Sequence, residues 1–185
     1  PYSDSPLYDP FCGSGTILVE GALIAAGIAP GLKRRFAAES WGSVKPTAFN
    51  NERINARESI TRDREFRAIG SDTDENAVAL TLENAEKAGV GEFITASVAD
   101  ISDFSPATER GIIVTNPPYG ERLLDIDEAK RLYGVCGRVF EKKHGYRYSV
   151  ISPDEQFELL FGRPADKRRK LYNGMLKCNL YMYFK

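Results

Sequence analysis

The stretch Asp9-Pro10-Phe11-Cys12-Gly13-Ser14-Gly15-Thr16 joins a short apolar strand, predicted at residues 7–9, to an apolar helix, predicted at residues 16–26. Such a glycine loop brings backbone N–H groups at the start of a helix close to a nucleotide-like ligand. A plain tight turn is the alternative, because glycine adopts backbone angles that other residues avoid. No lysine follows Gly15, so the loop is not the phosphate-binding loop of nucleoside triphosphatases.

The rest of the chain alternates between strands and helices, which predicts an α/β fold with a mostly parallel sheet covered on both faces. Further strands are predicted at residues 67–71, 93–98, 111–115 and 146–151, and further helices at residues 47–60, 75–88, 127–143 and 154–161. Two final strands, at residues 168–172 and 176–184, are predicted to form a hairpin joined at Asn173-Gly174. Residues 28–65 form a polar excursion from this pattern, and Thr47 is predicted to cap its helix.

The second informative stretch is Asn116-Pro117-Pro118-Tyr119, which follows the predicted strand at residues 111–115. Two prolines by themselves only end strand pairing. A polar amide at the end of a buried parallel strand lies where open α/β sheets bind their ligands. We infer that the side-chain oxygen of Asn116 and the backbone carbonyl of Pro117 accept the two hydrogens of a base amine. Tyr119 would stack on that base, flipped out of its helix. Together with the glycine loop, this stretch indicates a methyltransferase.

Four stretches carry a resemblance to a known family: the glycine loop, Gly70-Ser71-Asp72-Thr73-Asp74, Asn116-Pro117-Pro118-Tyr119-Gly120-Glu121-Arg122-Leu123 and Lys170-Leu171-Tyr172-Asn173-Gly174. The chain resembles the catalytic domain of class I S-adenosylmethionine-dependent methyltransferases. Specifically, it is similar to the family of RlmL-like ribosomal RNA guanine-N2 methyltransferases and their archaeal tRNA relatives, often labelled N6-adenine-specific DNA methylases. The extension to Gly120-Glu121-Arg122-Leu123 is the most specific part, although spacing assigns no role to Glu121 or Arg122.

The resemblance implies a Rossmann-like, seven-stranded sheet in the order 3-2-1-4-5-7-6 with an antiparallel hairpin at its end. It implies S-adenosyl-L-methionine as cofactor and guanine N2 of 23S ribosomal RNA as the target, hence a role in ribosomal RNA processing. It also implies an RNA-binding THUMP domain upstream, which this chain lacks. Because the chain begins at Pro1 without an initiator methionine, we expect residues 1–185 to be the catalytic domain of a longer protein.

Asp72 ends the second predicted strand, where its two carboxylate oxygens would accept hydrogen bonds from the ribose hydroxyls of a bound nucleoside. Asp74 is the alternative for this role, but a residue that opens a helix more often caps it. The gap from Gly15 to Asp72 exceeds the roughly 20 residues usual in nucleotide-binding folds. The excursion at residues 28–65 accounts for the extra length.

Other site residues take their roles from the resemblance. Asp100 matches the acid that contacts the adenine amino group, with a turn-forming role as the alternative. Asp9 is expected near the methionine end of the cofactor, or else to brace the loop. The remaining predicted cofactor contacts are Phe11, Cys12, Gly13, Gly15, Thr16, Thr73, Ile101 and Asn116. The predicted catalytic residues are Asn116, Pro117 and Tyr119, and the predicted substrate contacts are Pro118 and Tyr119. No metal is expected, since carboxylates suit a sulfonium cation.

The composition describes a soluble globular domain, with 42% hydrophobic and 28% charged residues among 185. Three scattered cysteines (Cys12, Cys136 and Cys178) suggest neither a disulfide framework nor a zinc site, so a reducing cytoplasm is expected. The formal charge of −1 is unusual for a stand-alone RNA binder. The basic runs at residues 33–35, 142–143 and 167–170 are either RNA contacts or solvated faces. His144 is expected at the surface, and Trp41 with Phe49 either pack together or form a substrate wall.

Three other functions remain open or are excluded at this stage. Adenine N6 methylation of DNA or RNA is the alternative within the same class, because both bases carry an amine on a flat ring. A non-catalytic RNA-binding module with this fold is a second alternative, although Asn116 and Tyr119 argue against it. A nicotinamide-dependent dehydrogenase is excluded, because the third glycine of its fingerprint is missing.

Overall fold

The computed structural model describes residues 5–61, 65–119, 126–140 and 144–184. Within these ranges, one sheet of seven strands has the order β3-β2-β1-β4-β5-β7-β6. The strands are β1 (Leu7–Asp9), β2 (Ala68–Asp72), β3 (Ile94–Val98), β4 (Gly111–Thr115), β5 (Tyr146–Ser152), β6 (Lys167–Asn173) and β7 (Leu176–Tyr183). Strands β1 to β5 are parallel, and β7 runs antiparallel to both β5 and β6. The predicted strand order and the mixed α/β fold are confirmed.

Five helices surround the sheet in the described part of the chain. They are α1 (Thr16–Ala25), α2 (Ala48–Glu58), α3 (Glu75–Ala88), α4 (Ile126–Val139) and α5 (Phe157–Phe161). The limits lie within a few residues of those predicted, and residues 141–143 of the predicted fourth helix lie outside the described residues. In none of the described ranges does a helix have the length and apolar character needed to span a bilayer.

The two faces of the sheet are covered by two separate apolar cores, as strand alternation requires. Leu7 and Tyr8 are neighbours in β1, yet they belong to different cores. Leu7 packs with residues of α1 and β2, among them Leu18 and Ala68. Tyr8 lies in the larger aromatic core beneath α4 and α5, which includes Phe140. The short strand β1 is thus buried on both faces and forms the centre of the fold.

The excursion leaves and rejoins the fold at the amino edge of the sheet, because α1 ends and β2 begins there. Thr61 N–H donates to the carbonyl of Ala26 at 2.9 Å, which closes the base of the excursion. Phe49 stacks on Phe36 with ring centroids 5.7 Å apart, whereas Trp41 stays 60% exposed. Phe49 therefore packs against another residue of the excursion.

Thr47 precedes α2 as predicted, but its side chain makes no capping hydrogen bond. Its backbone angles are helical, φ −86° and ψ −14°, whereas a capping residue has an extended backbone that lets its oxygen turn back to the first N–H groups. Thr47 therefore occupies the N-cap position, as predicted, but does not cap the helix with its side chain. By contrast, Asp74 has an extended backbone and caps α3, accepting a hydrogen bond from Asn76 N–H at 2.9 Å.

The hairpin loop lies one residue further along the chain than predicted. Asn173 is paired with Leu176, so the two loop residues are Gly174 and Met175. Gly174 has φ +63°, whereas Met175, like every other described residue that is not glycine, has a negative φ. A positive φ at only the first loop position is the pattern of a type II′ turn, not of the type I′ turn that an Asn-Gly loop forms. Asn173 is consequently the last paired residue of β6 rather than part of the turn.

Candidate active site

Four predicted polar site residues lie at the carboxyl edge of neighbouring strands. Asp9 ends β1, Asp72 ends β2, Asp100 follows β3 and Asn116 follows β4. Since these strands are adjacent in the order β3-β2-β1-β4, the four residues form one row along the edge. This edge is where open parallel sheets bind ligands.

Asp9 is the most buried charged residue of this row, with 1% of its surface exposed. Its Oδ1 accepts hydrogen bonds from Thr115 Oγ1 at 2.7 Å and from Phe11 N–H at 3.2 Å. Burial outweighs these hydrogen bonds and raises the pKa of the Asp9 carboxyl to about 6. Asp9 thus ties the ends of β1 and β4 together and braces the first residues of the glycine loop.

The raised pKa of Asp9 predicts a pH dependence of stability. In the unfolded chain an aspartate has a pKa of about 3.9, so the folded protein holds this proton more tightly. The contribution of Asp9 is therefore complete below about pH 4 and is lost as the pH rises through about 6. Two pKa units correspond to roughly 3 kcal/mol.

This dependence is measured by urea unfolding between pH 4 and pH 8, with Asp9→Asn as the comparison. Asparagine imitates the protonated carboxyl and does not titrate, so the difference between the two proteins isolates Asp9 from all other carboxyls. We expect the wild type to lose stability relative to the variant across this range. A constant difference at every pH would contradict the prediction.

The glycine loop is held by side chains of β2 and α3. Gly13 N–H donates to Asp72 Oδ2 at 3.0 Å, and the carbonyl of Gly13 accepts from Thr81 Oγ1 at 2.9 Å. Asn84 Nδ2 donates to the carbonyl of Ser14 at 2.9 Å. Thr81 and Asn84 lie three residues apart on one face of α3, which explains why both reach the loop. Neither residue was predicted from the sequence; the available signal was two polar residues on the partly buried face of an amphipathic helix.

Gly15 is the loop residue at which a side chain fits least. It has φ +78°, and an added Cβ would lie 2.8 Å from Thr81 Cγ2. Gly13 has φ +52°, but an added Cβ there would meet nothing within 4 Å. At either position, an alanine in the left-handed conformation would destabilise the fold by about 1–2 kcal/mol. Only at Gly15 would the new methyl group also overlap with Thr81.

We therefore expect Gly15→Ala to be less stable than Gly13→Ala, by roughly 1–3 kcal/mol for the steric overlap. Gly13→Ala is the matched control, because it introduces the same methyl group in the same loop with the same sign of φ. The urea midpoints of the two variants and the wild type measure the effect. Equal midpoints for the two variants would show that Thr81 does not restrain the loop.

The two carboxylates near the end of β2 have different partners. Asp72 Oδ1 accepts from Asp74 N–H at 3.1 Å, in addition to the Gly13 bond of its other oxygen. Asp74 caps α3, the role that the sequence favoured for it over binding of the ribose. Asp72 alone of the two contacts the glycine loop. Its assignment to the ribose remains a prediction.

Asp100 caps the short 3-10 turn Ile101–Asp103, accepting hydrogen bonds from Ser102 N–H at 2.8 Å and Ser102 Oγ at 2.6 Å. The hydroxyl and then the N–H of Ser102 lower the pKa of this carboxyl. Asp100 also lines a cavity between the ends of β2 and β3, together with Ser71 and Ala99. Asp100 therefore has the turn-forming role that was its alternative, and its contact with adenine remains a prediction.

The Asn116-Pro117-Pro118-Tyr119 stretch combines exposed and buried groups. Asn116 is exposed, Pro117 is fully buried, and Pro118 and Tyr119 are half-buried. The buried ring of Pro117 anchors the chain directly beside the exposed amide. Tyr119 Oη accepts a hydrogen bond from Asn173 Nδ2 at 2.7 Å. This contact was not predicted, because the sequence placed Asn173 in the hairpin turn. The extension Gly120-Glu121-Arg122-Leu123 lies outside the described residues.

The other predicted cofactor contacts lie on the same edge. Cys12 and Gly15 are buried in the loop, Phe11 and Gly13 are half-buried, and Thr16 is exposed at the start of α1. Thr73 is exposed after β2, whereas Ile101 is buried in the aromatic core. Burial raises the pKa of the Cys12 thiol, which keeps it protonated and unreactive. Their contacts with a cofactor remain predictions.

Other polar candidates lie away from this edge. His144 is exposed ahead of β5, at the amino edge of the sheet. Among the described residues, no group of three or more histidine, cysteine, aspartate or glutamate side chains has the arrangement of a metal site.

A sheet in the order β3-β2-β1-β4-β5-β7-β6, with a glycine loop after β1 and a carboxylate ending β2, defines a domain of the class I methyltransferase fold. The family described as UPF0020, RMKL-like, methyltransferase domain matches residues 1–182. The chain belongs to this RMKL-like methyltransferase domain family. This confirms the family and the methyltransferase class predicted from the sequence.

Individual relatives agree with this family. YpsC of Bacillus subtilis (strain 168), named as a candidate RNA methyltransferase, is 40% identical over 98% of this chain and 47% of its own length. The ribosomal RNA large subunit methyltransferase K/L of Shewanella baltica (strain OS155) is 43% identical over 98% of this chain and 26% of its own length. The chain thus spans between a quarter and about half of these curated relatives.

Two solved structures share the fold closely. SMU.472, a candidate methyltransferase complexed with SAH, is 38% identical and superposes with a TM-score of 0.92 over 100% of this chain and 49% of its own. A protein from Listeria monocytogenes str. 4b F2365, named as a predicted N6-adenine-specific DNA methylase, is also 38% identical. It has a TM-score of 0.87 over 98% of this chain and 47% of its own.

Proposed function

We propose that residues 1–185 are the catalytic domain of an S-adenosylmethionine-dependent methyltransferase that acts on an exocyclic base amine of RNA, namely guanine N2 of 23S ribosomal RNA. The observation that carries the proposal is the position of Asn116. Its exposed amide follows β4, one residue after Thr115, whose hydroxyl is bonded to Asp9 at the start of the glycine loop. The predicted base site and the predicted cofactor site are therefore direct neighbours.

The carboxyl edge fits the predicted cofactor in both shape and charge. Asp72 lies against the glycine loop, where the ribose hydroxyls would meet its oxygens. The cavity lined by Ser71, Ala99 and Asp100 is where the adenine would lie. Burial raises the pKa of the Asp9 carboxyl, so a nearby sulfonium would favour its ionised form. The complex of SMU.472 with SAH supports the same choice of cofactor.

S-adenosylmethionine, when bound, supplies an electrophilic methyl group on a sulfonium. The acceptor nitrogen is a weak nucleophile, because its lone pair is delocalised into the ring. The Asn116 side-chain oxygen and the Pro117 carbonyl accept its two hydrogens, which turns the lone pair out of conjugation and aims it at the methyl carbon. Fixed hydrogen-bond partners of this kind accelerate a reaction by orientation and by charge placement. Tyr119 stacks on the base and holds it in that pose.

The methylated nucleoside identifies the substrate. The chain is incubated with S-adenosylmethionine and unmodified, in vitro transcribed 23S ribosomal RNA, and the RNA is digested and analysed by mass spectrometry. We expect N2-methylguanosine. Binding of the cofactor without any methylation, in this chain and in the longer protein, would support the non-catalytic module instead.

Adenine N6 is the second candidate target, favoured by the name of the Listeria relative. Adenine and guanine both offer an amine to Asn116 and Pro117, so the same site accommodates either. N6-methyladenosine as the only product would establish this alternative and overturn the guanine assignment.

We further propose that part of the RNA affinity comes from outside this chain. The curated relatives are two to four times longer than the stretch that matches, and the formal charge of this chain is only −1. An upstream RNA-binding domain of the THUMP type would add basic surface to a chain whose own positive and negative charges nearly cancel. Comparing the KM for 23S ribosomal RNA of the chain with that of the longer protein tests this point.

A further inference from the structure

The tip of the β6–β7 hairpin (residues 170–177) stands beyond the catalytic edge of the sheet. The last residue of β5, Ser152, pairs with Asn179 of β7, so Leu176, Lys177 and Cys178 continue past the end of β5. Three residues of extended strand add about 10 Å. The tip therefore overhangs the same edge that carries Asn116 and the glycine loop.

The end of the chain that forms this hairpin is strongly basic. Residues 167–185 contain six of the 25 lysines and arginines and none of the 26 acidic residues. Arg168 forms an ion pair with Glu158. Within the described part of the chain, Lys170 and Lys177 make no such pair and are exposed. The hairpin tip is thus a local positive surface on a chain whose formal charge is −1.

An exposed aromatic ring lies between these lysines. Tyr172 is 64% exposed and pairs directly with Lys177 across the hairpin. The ammonium of Lys170 is 5.1 Å from the centroid of the Tyr172 ring. Met175 at the tip is fully exposed. An aromatic ring flanked by cations is the arrangement with which proteins bind single-stranded nucleic acid, by stacking and by contact with phosphates.

The opposite face of the same tip contacts the base site. Asn173 alternates with Tyr172 along β6, so its side chain points to the other face of the sheet, where its Nδ2 donates to Tyr119 Oη at 2.7 Å. The type II′ loop makes this possible, because it leaves Asn173 as a paired strand residue. One short element therefore presents a stacking ring on one face and restrains Tyr119 with the other.

We propose that the tip of the β6–β7 hairpin binds the RNA strand flanking the target nucleotide, and that Asn173 is a positioning residue that holds the ring of Tyr119 for the target base. The proposal rests on the proposed function. Tyr172 stacks on a flanking base while Lys170 and Lys177 contact its phosphates. Tyr172 and Asn173 are neighbours in β6. The same hairpin therefore binds the flanking RNA and holds Tyr119 in place.

The first experiment separates this surface from other basic and aromatic surfaces. Two hairpin variants are compared with two control variants in the excursion. The hairpin variants are Tyr172→Ala and the double variant Lys170→Ala with Lys177→Ala. The controls are Trp41→Ala and the double variant Lys33→Ala with Arg35→Ala. The control residues are similarly exposed and belong to the excursion, which begins and ends at the amino edge of the sheet. The readouts are the KM for unmodified 23S ribosomal RNA, its salt dependence and the Kd for S-adenosylmethionine.

We expect Tyr172→Ala to raise the KM for RNA roughly 5- to 150-fold, the range for loss of one stacked base. The two-lysine variant should lower the slope of log affinity against log salt by about 0.7 for each lost phosphate contact. The Kd for S-adenosylmethionine should not change, and the excursion variants should stay within twofold. Equal effects of the hairpin and excursion variants, or no effect of the hairpin variants, would overturn the proposal.

A double-mutant cycle tests the positioning role of Asn173. Tyr119→Phe and Asn173→Ala each remove one partner of the same hydrogen bond, so the double variant should lose no more kcat than the worse single variant. A merely structural role of Asn173 would give losses that multiply, which would contradict the proposal. If neither the wild-type chain nor the longer protein methylates RNA, the proposed function itself fails. A wild type that methylates RNA, with hairpin variants that keep its KM, refutes only this inference.

Discussion

Asn116→Ala is expected to reduce the kcat for methyl transfer about 10²- to 10³-fold, the range found when one fixed polar group that stabilises a transition state is removed. The physical reason is that the Asn116 oxygen would hold one hydrogen of the acceptor amine, and without it the lone pair stays delocalised in the ring. The Kd for S-adenosylmethionine should remain near the wild-type value, because the proposed role of the side-chain amide is to bind the base. Single-turnover methylation and calorimetric titration measure the two quantities.

Asn50→Ala is the matched control for this variant. Asn50 is also an exposed asparagine, and it lies on α2 in the excursion. We expect it to keep kcat within twofold. If Asn116→Ala retained the wild-type kcat while binding the cofactor normally, the proposed role of the Asn116 amide in methyl transfer would be wrong.

Asp72→Ala is expected to weaken binding of S-adenosylmethionine by one to two orders of magnitude or more. A hydrogen bond to a charged group contributes about 1.5–3 kcal/mol, and the carboxylate would receive the ribose hydroxyls. The variant also frees Gly13 N–H, which Asp72 holds at 3.0 Å, so the glycine loop loses one restraint. Isothermal titration calorimetry with S-adenosylmethionine measures the loss.

Asp74→Ala separates cofactor binding from general damage to this region. It removes a neighbouring carboxylate that caps α3 through Asn76 N–H. We expect it to lower stability by about 1 kcal/mol, as loss of a helix cap does, and to leave the cofactor Kd within a few-fold. A larger loss of affinity for Asp74→Ala than for Asp72→Ala would reverse the two roles, in favour of the alternative considered for Asp74.

Hydrophobic periodicity was sufficient to predict most of the strands and helices, because most of these elements bury an apolar face. Helix α2 and strand β6 are exceptions, since neither contains a fully buried residue. The same reasoning placed Asp9, Asp72, Asp100 and Asn116 on one edge, since parallel strands end together. Both predictions depend on local pattern and on general topology. They needed no knowledge of side-chain contacts.

The failures of sequence reasoning concern contacts between distant residues. Thr81 and Asn84 reach the glycine loop across 68 and 70 residues, and no local pattern indicates which loop a polar helix face will meet. The hairpin loop was misplaced by one residue, because Asn-Gly and Gly-Met both satisfy a two-residue turn. Strand pairing decides between them, with Asn173 opposite Leu176. This one-residue shift of the hairpin loop leaves Asn173 in β6, where its side chain reaches Tyr119.

The most direct measurement of the central claim is a crystal structure of the protein with SAH and an RNA that contains the target guanosine. The account predicts the guanine N2 within about 2.7–3.2 Å of both Asn116 Oδ1 and the Pro117 carbonyl oxygen, with the Tyr119 ring stacked on the base. A target base bound elsewhere, with its amine out of reach of Asn116, would contradict it.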